Sequence, residues 1–441
     1  MTQRSFKAAG LAFGVTSTLA FAAPALAQQD TQAMQRQLDA LRAQVERMEQ
    51  QLEAQQATPA ATDSQDVAQT RELAEENRSL LESIQNSQIS GTLQLNATYD
   101  DWNKNNQAGK DTAGDMKFGK FVLALNGEHG NFLYGFDYRF YDGYQFLKSG
   151  WMGYQTSEND TVKVGLVQTP FGNMDYGYLG WYGTLPYLSG FNDNQNAGIK
   201  WDHTQGAWDT SLAFFKSDQL GDGNEHYGAN PVGSSAQGNS AENQLAGRVA
   251  YTFGQGTDYT TEINFSAKGG QLYNNQTNES GSNWQAAVGL NGSYGNWYTL
   301  LQATAYEYDA ENPANSSISD NAMQIGAFGF NYLIPTEGQM YSASLAYSMN
   351  VDWGDIDNLY FYNDFSYVNP KGDYAPSTAS NPGGFGDVDD PMLNDLGMKV
   401  TAGPYYAWFS VIANKNALGY FGSPTDGDWH TSVQSNFGFN F

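Results

Sequence analysis

The sequence ends in Val433-Gln-Ser-Asn-Phe-Gly-Phe-Asn-Phe441, a stretch in which apolar and polar residues largely alternate. Its apolar residues, Val433, Phe437, Phe439 and Phe441, lie two or four positions apart. Because successive side chains of a β-strand point to opposite faces, all four share one face and polar residues occupy the other. The sequence therefore closes on a two-faced strand whose apolar side carries three phenylalanines.

The same alternation recurs upstream. Thr92–Tyr99 places leucine, alanine and tyrosine on one face and polar groups on the other, and Phe132–Phe140 alternates aromatic residues with Asp137 and Arg139. Before Ser90 the sequence is instead rich in helix formers. This change from helix-forming residues to alternating apolar and polar residues predicts an all-β domain over residues 91–441.

Short turns alternate with long polar connections in this domain. The predicted turns are Gly127–Gly130, Glu158–Asp160, His203–Gly206, Gly254–Thr257, Tyr294–Asn296 and Gly403–Pro404. The predicted long connections are Asp101–Met116, Asn173–Asn196, Ser217–Glu242, Gly269–Ser282, Asp309–Asn321 and Pro370–Asp390. This layout is typical of a transmembrane antiparallel β-barrel in the outer membrane, with its turns in the periplasm. Because both barrel ends then lie in the periplasm, the strand number is even, and we predict 16 strands, with 18 as the alternative.

The N-terminus predicts export across the inner membrane of a Gram-negative cell. Arg4 and Lys7 precede an apolar run, Leu11–Ala23, that is too short to span a bilayer as a helix, and Ala25-Leu26-Ala27 has the small-x-small pattern of a cleavage site. We therefore predict a signal peptide over residues 1–27. The terminal phenylalanines Phe437, Phe439 and Phe441 resemble the signal that the barrel-assembly machinery reads in its substrates.

Residues 28–90 predict a short coiled-coil stalk and linker in the periplasm. Its heptad seam consists of Met34, Leu38, Leu41, Val45, Met48 and Leu52, and a second short segment follows at Leu73, Leu80, Leu81 and Ile84. Such a stalk either helps the protein to form a homotrimer or tethers and spaces the layers of the envelope. The tether is the alternative function to that of a pore.

Composition and charge exclude several classes of protein. The sequence has no cysteine, so it offers no disulfide or thiolate metal site, and its net charge of -26 argues against nucleic acid as a partner. Its 28 tyrosines, 25 phenylalanines and 10 tryptophans suit a membrane barrel, in which aromatic rings gather at the two interfaces. None of the four histidines lies in a hydrolase or metalloprotease motif. We predict no enzymatic activity, no cofactor and no metal site.

Two stretches carry a family resemblance. Val162-Lys-Val-Gly-Leu-Val-Gln-Thr-Pro-Phe-Gly172 leads from a strand into a long aromatic loop, and Asp357-Asn-Leu-Tyr-Phe-Tyr-Asn-Asp364 forms a second match. Both resemble strands of the phosphate-selective porin O and P family. The resemblance implies a trimeric 16-stranded pore, often with a periplasmic coiled coil. We expect the barrel to lie in outer-membrane lipid and lipopolysaccharide and to let small hydrophilic solutes or ions diffuse through it. Members that select phosphate carry a ladder of arginines and lysines through the pore.

Alternation also predicts which charged residues face the lumen. The predicted basic residues are Lys120, Arg139, Lys148, Lys163, Lys200, Arg248, Lys268 and Lys399, and the acidic ones are Asp137, Asp202, Glu262, Asp364 and Asp395. Each lysine either conducts ions or braces the wall through a salt bridge. Because Arg139 and Arg248 are the only arginines after residue 90, and arginine suits bidentate phosphate contacts, weak or no ion preference is expected.

We expect the connection Asn173–Asn196 to fold into the pore as a constriction. It contains no lysine or arginine. Its candidate residues are Asp175, Tyr176, Tyr178, Trp181, Tyr182, Tyr187 and Asp193. The rings either contact flat solutes and sugars in transit or simply pack the loop against the wall.

Overall fold

The computed structural model describes residue 47 and residues 87–102, 109, 111–388, 390–419 and 423–441. The predicted signal peptide, the six residues of the predicted heptad seam and the second segment from Leu73 to Ile84 lie outside these residues and stay predictions. No helix in the described part of the chain is long and apolar enough to cross a membrane.

Nineteen strands and one four-residue helix make up the described fold. The strands are β1 (Ser87–Asp100), β2 (Asp115–His129), β3 (Phe132–Tyr141), β4 (Gln145–Gln155), β5 (Asp160–Gln168), β6 (Gln195–Gln205), β7 (Trp208–Ser217), β8 (Asn230–Pro231), β9 (Asn239–Phe253), β10 (Tyr259–Asn274), β11 (Ser280–Tyr294), β12 (Trp297–Asp309), β13 (Ala322–Ala327), β14 (Phe330–Pro335), β15 (Glu337–Trp353), β16 (Ile356–Pro370), β17 (Met392–Ala402), β18 (Tyr405–Lys415) and β19 (His430–Asn440). The helix, α1, is Leu185–Leu188.

Sixteen of these strands close into one barrel. Each wall strand pairs with its wall neighbour in the chain, and β1 pairs antiparallel with β19 from Thr92 opposite Asn440 to Asp100 opposite Ser432. The other three strands, β8, β13 and β14, form a separate sheet, which we call the cap. The predicted antiparallel barrel of 16 strands is confirmed.

The two ends of the barrel differ as predicted, with one correction. Seven short turns lie at one end and eight connections at the other. The predicted long connection Gly269–Ser282 is wrong, because β10 and β11 continue to pair as far as Tyr273 opposite Ser280 and leave only residues 275–279 between them. Backbone pairing continues through polar side chains here, so local polarity overstated the length of the loop. Similarly, β1 begins at Ser87, four residues before the predicted start of the domain.

The wall is apolar outside and polar inside. Exposed apolar residues of the wall include Leu93, Leu95, Leu123, Phe136, Val164, Ile199, Leu212, Phe265, Val288, Leu301, Leu345, Phe361, Leu396, Val411 and Phe437. Buried polar residues include Gln94, Arg139, Lys148, Lys200, Ser211, Arg248, Asn264, Ser266, Lys268, Gln302, Ser344, Asp364, Asp395 and Asn436. This arrangement is the reverse of that in a water-soluble domain, where exposed apolar patches are small.

A hydrophobic core lies inside the barrel, beneath the cap. It joins Phe191 and Leu185 of the connection between β5 and β6 to cap residues such as Ile325 and Leu333 and to wall residues such as Tyr306. We call this connection, residues 169–194, the inner loop. The core therefore fixes the inner loop and the cap together against the wall strands from β10 to β18.

Candidate functional site

The inner loop is hydrogen-bonded to the wall at widely separated strands. Its backbone N–H groups at Gly172, Asn173 and Leu185 donate to side-chain oxygens of Ser266 on β10, Gln302 on β12 and Ser366 on β16, at 2.8, 2.8 and 2.9 Å. Because these partners stand on separate strands and the loop itself joins β5 to β6, the loop crosses the interior of the barrel.

Two aspartates of the wall accept further backbone N–H groups from the inner loop. Asp364 accepts from Leu179 at 3.0 Å and from Gly180 at 2.6 Å, and Asp395 accepts from Tyr182 at 3.1 Å. Both aspartates are buried and stand opposite each other on β16 and β17. These two predicted lumen acids therefore anchor the loop.

Two of the predicted lumen cations also hold the loop. Arg248 Nε donates to the carbonyl oxygen of Gly172 at 2.9 Å, and the same guanidinium forms an ion pair with Glu262. Lys268 Nζ lies 3.4 Å from the carbonyl oxygen of Gly190. Both cations are buried, so the structure gives them a bracing contact.

Asp193 ties the other end of the inner loop to the wall. Its carboxylate forms an ion pair with Lys148 on β4 at 2.9 Å and accepts a hydrogen bond from the hydroxyl of Tyr227 at 2.6 Å. Lys148 Nζ also lies 4.4 Å from the centre of the Tyr227 ring, a cation–π distance. Tyr227 belongs to the connection after β7, so this cluster joins two loops to the wall.

The remaining predicted lumen charges occupy the wall from β2 to β6, with one on β17. Arg139 pairs with Asp137 on its own strand at 2.8 Å, and Lys163 and Lys200 share Asp202 at 3.2 and 3.1 Å. Lys120 and Lys399 have no ion-pair partner among the described residues. Lys399 Nζ lies 5.2 Å from the centre of the Trp408 ring. Cations therefore outnumber carboxylates in this part of the wall.

The inner loop and the wall enclose two cavities. The larger has a volume of about 530 Å³, and we call it the long cavity; its lining runs from Tyr144 and Asp142 at the loop end to Tyr406, which follows the turn at Gly403–Pro404. The smaller, the side cavity, has about 380 Å³ and is lined by charged residues that include Lys163, Lys200 and Asp175. Tyr176 lines both, so the two cavities adjoin at this residue.

The predicted constriction residues divide between the cavities. Tyr176, Tyr178, Trp181, Tyr182 and Tyr187 line the long cavity, and Asp175, Tyr176 and Asp193 line the side cavity. The rings of Tyr178 and Tyr187 also pack against each other, with centroids 5.0 Å apart. The rings therefore both pack the loop and border open space.

Sequence reasoning missed the contribution of the cap. Phe328, at the tip of the β13–β14 hairpin, packs its ring against Tyr141 and Phe146 of the wall and against Tyr227, at centroid distances of 5.9, 5.6 and 5.3 Å. Phe328 has a φ of 54°, and Gly329 follows with a φ of 77°. The two positive φ angles match a two-residue hairpin turn, but Phe-Gly is not among the Asn-Gly, Asp-Gly and Gly-Gly pairs that signal one, so the sequence carried only a weak cue.

The fold is also that of solved outer-membrane proteins. The outer membrane channel DcaP of Acinetobacter baumannii is similar over 80% of this chain and 97% of its own, with a TM-score of 0.51 and 10% identity. OmpF of Salmonella typhi, solved with daunomycin, is similar over 80% of this chain and 97% of its own, with a TM-score of 0.51 and 12% identity. At these identities the likeness shows the fold alone. No protein-family model and no curated protein sequence matches the chain.

Proposed function

We propose that this protein is an outer-membrane porin, a passive channel for small hydrophilic solutes or ions, and not an enzyme. The long cavity, which runs from the loop end of a 16-stranded barrel to near its short turns, carries this proposal. Side chains alone do not fill so wide a barrel, and the long cavity stays open beside the inner loop and the cap. The description of the similar Acinetobacter protein as an outer membrane channel is consistent with it.

The outer surface supports placement in a membrane. Exposed aromatic residues cluster next to the short turns, as in the interfacial girdle of a membrane barrel: Phe132, Tyr154, Trp208, Phe253, Tyr259, Trp297, Trp353 and Tyr405. Between the ends, the outward residues are mainly aliphatic and aromatic. Bilayer hydrocarbon is the environment that stabilises such a surface.

We propose that the channel has a weak anion preference rather than tight phosphate selectivity. Lys120 and Lys399 are without ion-pair partners in the described chain, and Lys163 and Lys200 share a single carboxylate. The two arginines, by contrast, are already paired with Asp137 and Glu262. Bidentate phosphate recognition needs a guanidinium whose donors are available, so the resemblance to phosphate-selective porins does not extend to tight binding.

The proposal extends to the rest of the chain. Residues 1–27 act as the signal peptide, and residues 28–90 form a periplasmic coiled coil that supports a homotrimer. Phe437, Phe439 and Phe441 serve as the assembly signal, and Phe437 and Phe441 are exposed on the last strand and at the C-terminus. Lipid and lipopolysaccharide surround the assembled barrel.

A planar bilayer experiment with a salt gradient tests the channel and its selectivity. We expect discrete conductance steps and a reversal potential that favours anions. Lys120→Glu places a negative charge in the long cavity, so it shifts the reversal potential towards cations, whereas Lys371→Glu, at an exposed loop lysine paired with Glu337, leaves the potential unchanged. Absence of conductance would reject the porin in favour of an envelope tether, and a phosphate block at micromolar concentration would reject weak selectivity.

A further inference from the structure

The long cavity has an unusual lining for a passage that admits small ions. Thirteen of its twenty-two lining residues are aromatic, and they come from the inner loop, the cap, the wall and the connections after β3 and β7. Its volume of about 530 Å³ lies in the range of pockets that bind small organic molecules, roughly 300–1,000 Å³. An ion needs no such surface, whereas a solute with an apolar face gains from it.

Most of the rings of the long cavity that contact one another are inclined. The ring planes of Tyr176 and Tyr178 are inclined by 54°, and those of Tyr178 and Tyr187 by 66°. The Tyr141 and Tyr144 rings are nearly parallel, but their centroids lie only 5.0 Å apart, and two carbon contacts of about 3.5 Å each are needed to enclose a flat ring. A flat ring cannot enter between these contacting pairs, whereas the C–H faces of a puckered ring can contact inclined aromatic rings.

The wall opposite the inner loop offers hydrogen-bonding groups suited to hydroxyls. Gln94 and Asn96 on β1 line the long cavity, and the hydroxyl of Tyr406 donates to Gln94 Oε1 at 2.9 Å. Gln94 Nε2 in turn donates to Asn96 Oδ1 at 2.7 Å, and Asn96 Nδ2, which has no acceptor among the described residues, can donate to a hydroxyl of a solute. Aromatic rings on one side and amides on the other match the two faces of a pyranose sugar.

The charges that line the long cavity are mostly positive. Lys117, Lys120 and Arg139 face a single acidic residue, Asp142, at the loop end. Lys120 stands opposite Tyr141 on β3, and Arg139 shares that face two residues away. A negatively charged group on the solute would therefore lie near Lys120 while its ring contacts the tyrosines.

We propose that the long cavity binds acidic saccharides, pyranose rings that carry a carboxylate. This inference rests on the proposed channel and specifies the solute that the channel retains in transit. The aromatic rings contact the sugar faces, the Asn96 amide on β1 donates to a hydroxyl, and Lys120 pairs with its carboxylate. The rings and the amides distinguish this site from a simple basic passage for inorganic anions.

Current block in planar bilayers tests the proposal with the full-length protein. The probes are a galacturonate trisaccharide, neutral maltotriose, benzoate and inorganic phosphate. We expect the uronate to block the current with an affinity at least 10-fold higher than that of the other three probes. Lys120→Gln should lower uronate affinity about 10-fold and leave maltotriose unchanged, whereas Trp181→Leu and Trp408→Leu should weaken both sugars. Lys371→Gln serves as the matched control and leaves every affinity unchanged.

The outcomes separate this inference from the channel itself. A conducting protein that the uronate does not block, or that benzoate or phosphate blocks as tightly, overturns the saccharide site and leaves the channel intact. Uronate block that survives Lys120→Gln and both tryptophan variants also overturns it. A protein that does not conduct at all rejects the channel first.

Discussion

Asp364 and Asp395 stand opposite each other on β16 and β17, and their carboxylates together accept three backbone N–H groups of the inner loop. Two buried carboxylates so close together repel each other unless donors compensate them. The N–H groups of Leu179, Gly180 and Tyr182 supply those donors. The wall and the inner loop therefore stabilise each other.

Asp364→Asn tests this anchor. The asparagine amide keeps one acceptor oxygen, but its NH2 group replaces the other. One of the two N–H groups, of Leu179 or of Gly180, therefore loses its acceptor. An unsatisfied buried donor costs about 1–3 kcal/mol. We expect lower thermal stability in detergent and noisier single-channel current. Asp258→Asn, in an exposed turn, is the matched control, and equal effects of the two variants would contradict the anchor.

Arg248→Gln tests the brace between β9 and the inner loop. The change removes the donor to Gly172 and leaves Glu262 without its cation. Breaking a buried ion pair at one partner destabilises by about 3 kcal/mol, and we expect a clear fall in the thermal transition. The double variant Arg248→Gln/Glu262→Gln should recover part of this loss, because no uncompensated charge remains. A double variant less stable than Arg248→Gln would exclude the ion pair as the cause.

The alternation of apolar and polar residues explains how much of the barrel could be predicted from the sequence. Alternation assigns a residue to the inner or outer face of a strand, so it placed Lys148, Arg248 and Asp364 on the buried side of the wall. It carries no information on partners: Lys148 pairs with Asp193, 45 residues away, only because the inner loop returns to the wall. Contacts that depend on how a loop docks have no local sequence signal.

Cap docking gives a third prediction. Phe328 holds a positive φ that costs a bulky residue roughly 1–2 kcal/mol, so its ring contacts with Tyr141, Phe146 and Tyr227 must offset this strain. Phe328→Gly removes the strain together with the contacts. We expect faster proteolysis within residues 322–335 and a higher conductance, with no loss of barrel stability. Leu220→Gly, at an exposed position of another loop, should change neither.

Two titratable groups of the loop after β7 respond to acid in opposite directions. Burial lowers the pKa of His226 to about 4 and raises the pKa of Asp218 to about 7. The neutral histidine thus contributes stability that is present above pH 6.5 and is lost as the pH falls towards 4. The buried aspartate contributes stability that is present below pH 3.8 and is lost as the pH rises through 7.

Variants separate these two effects. Asp218→Asn leaves His226 as the buried group that titrates. The free energy of opening of residues 218–238 should then fall by about 2–3 kcal/mol between pH 7 and pH 4, as measured by limited proteolysis or hydrogen exchange. His226→Gln should show the reverse: the same residues become better protected from proteolysis and hydrogen exchange as the pH falls from 7 to 4. Identical pH profiles of the two variants would contradict the assignment.

The proposed channel passes between the inner loop and the wall, beside Tyr176. The sequence contains no cysteine, so a single introduced thiol reports on this path. We predict that a bulky thiol-reactive methanethiosulfonate reduces the single-channel conductance of Tyr176→Cys in discrete steps. Ser189→Cys, a nearly isosteric change at a buried position of the same loop, should be unaffected. A conducting Tyr176→Cys protein that the reagent reaches and modifies without any fall in conductance would contradict this account.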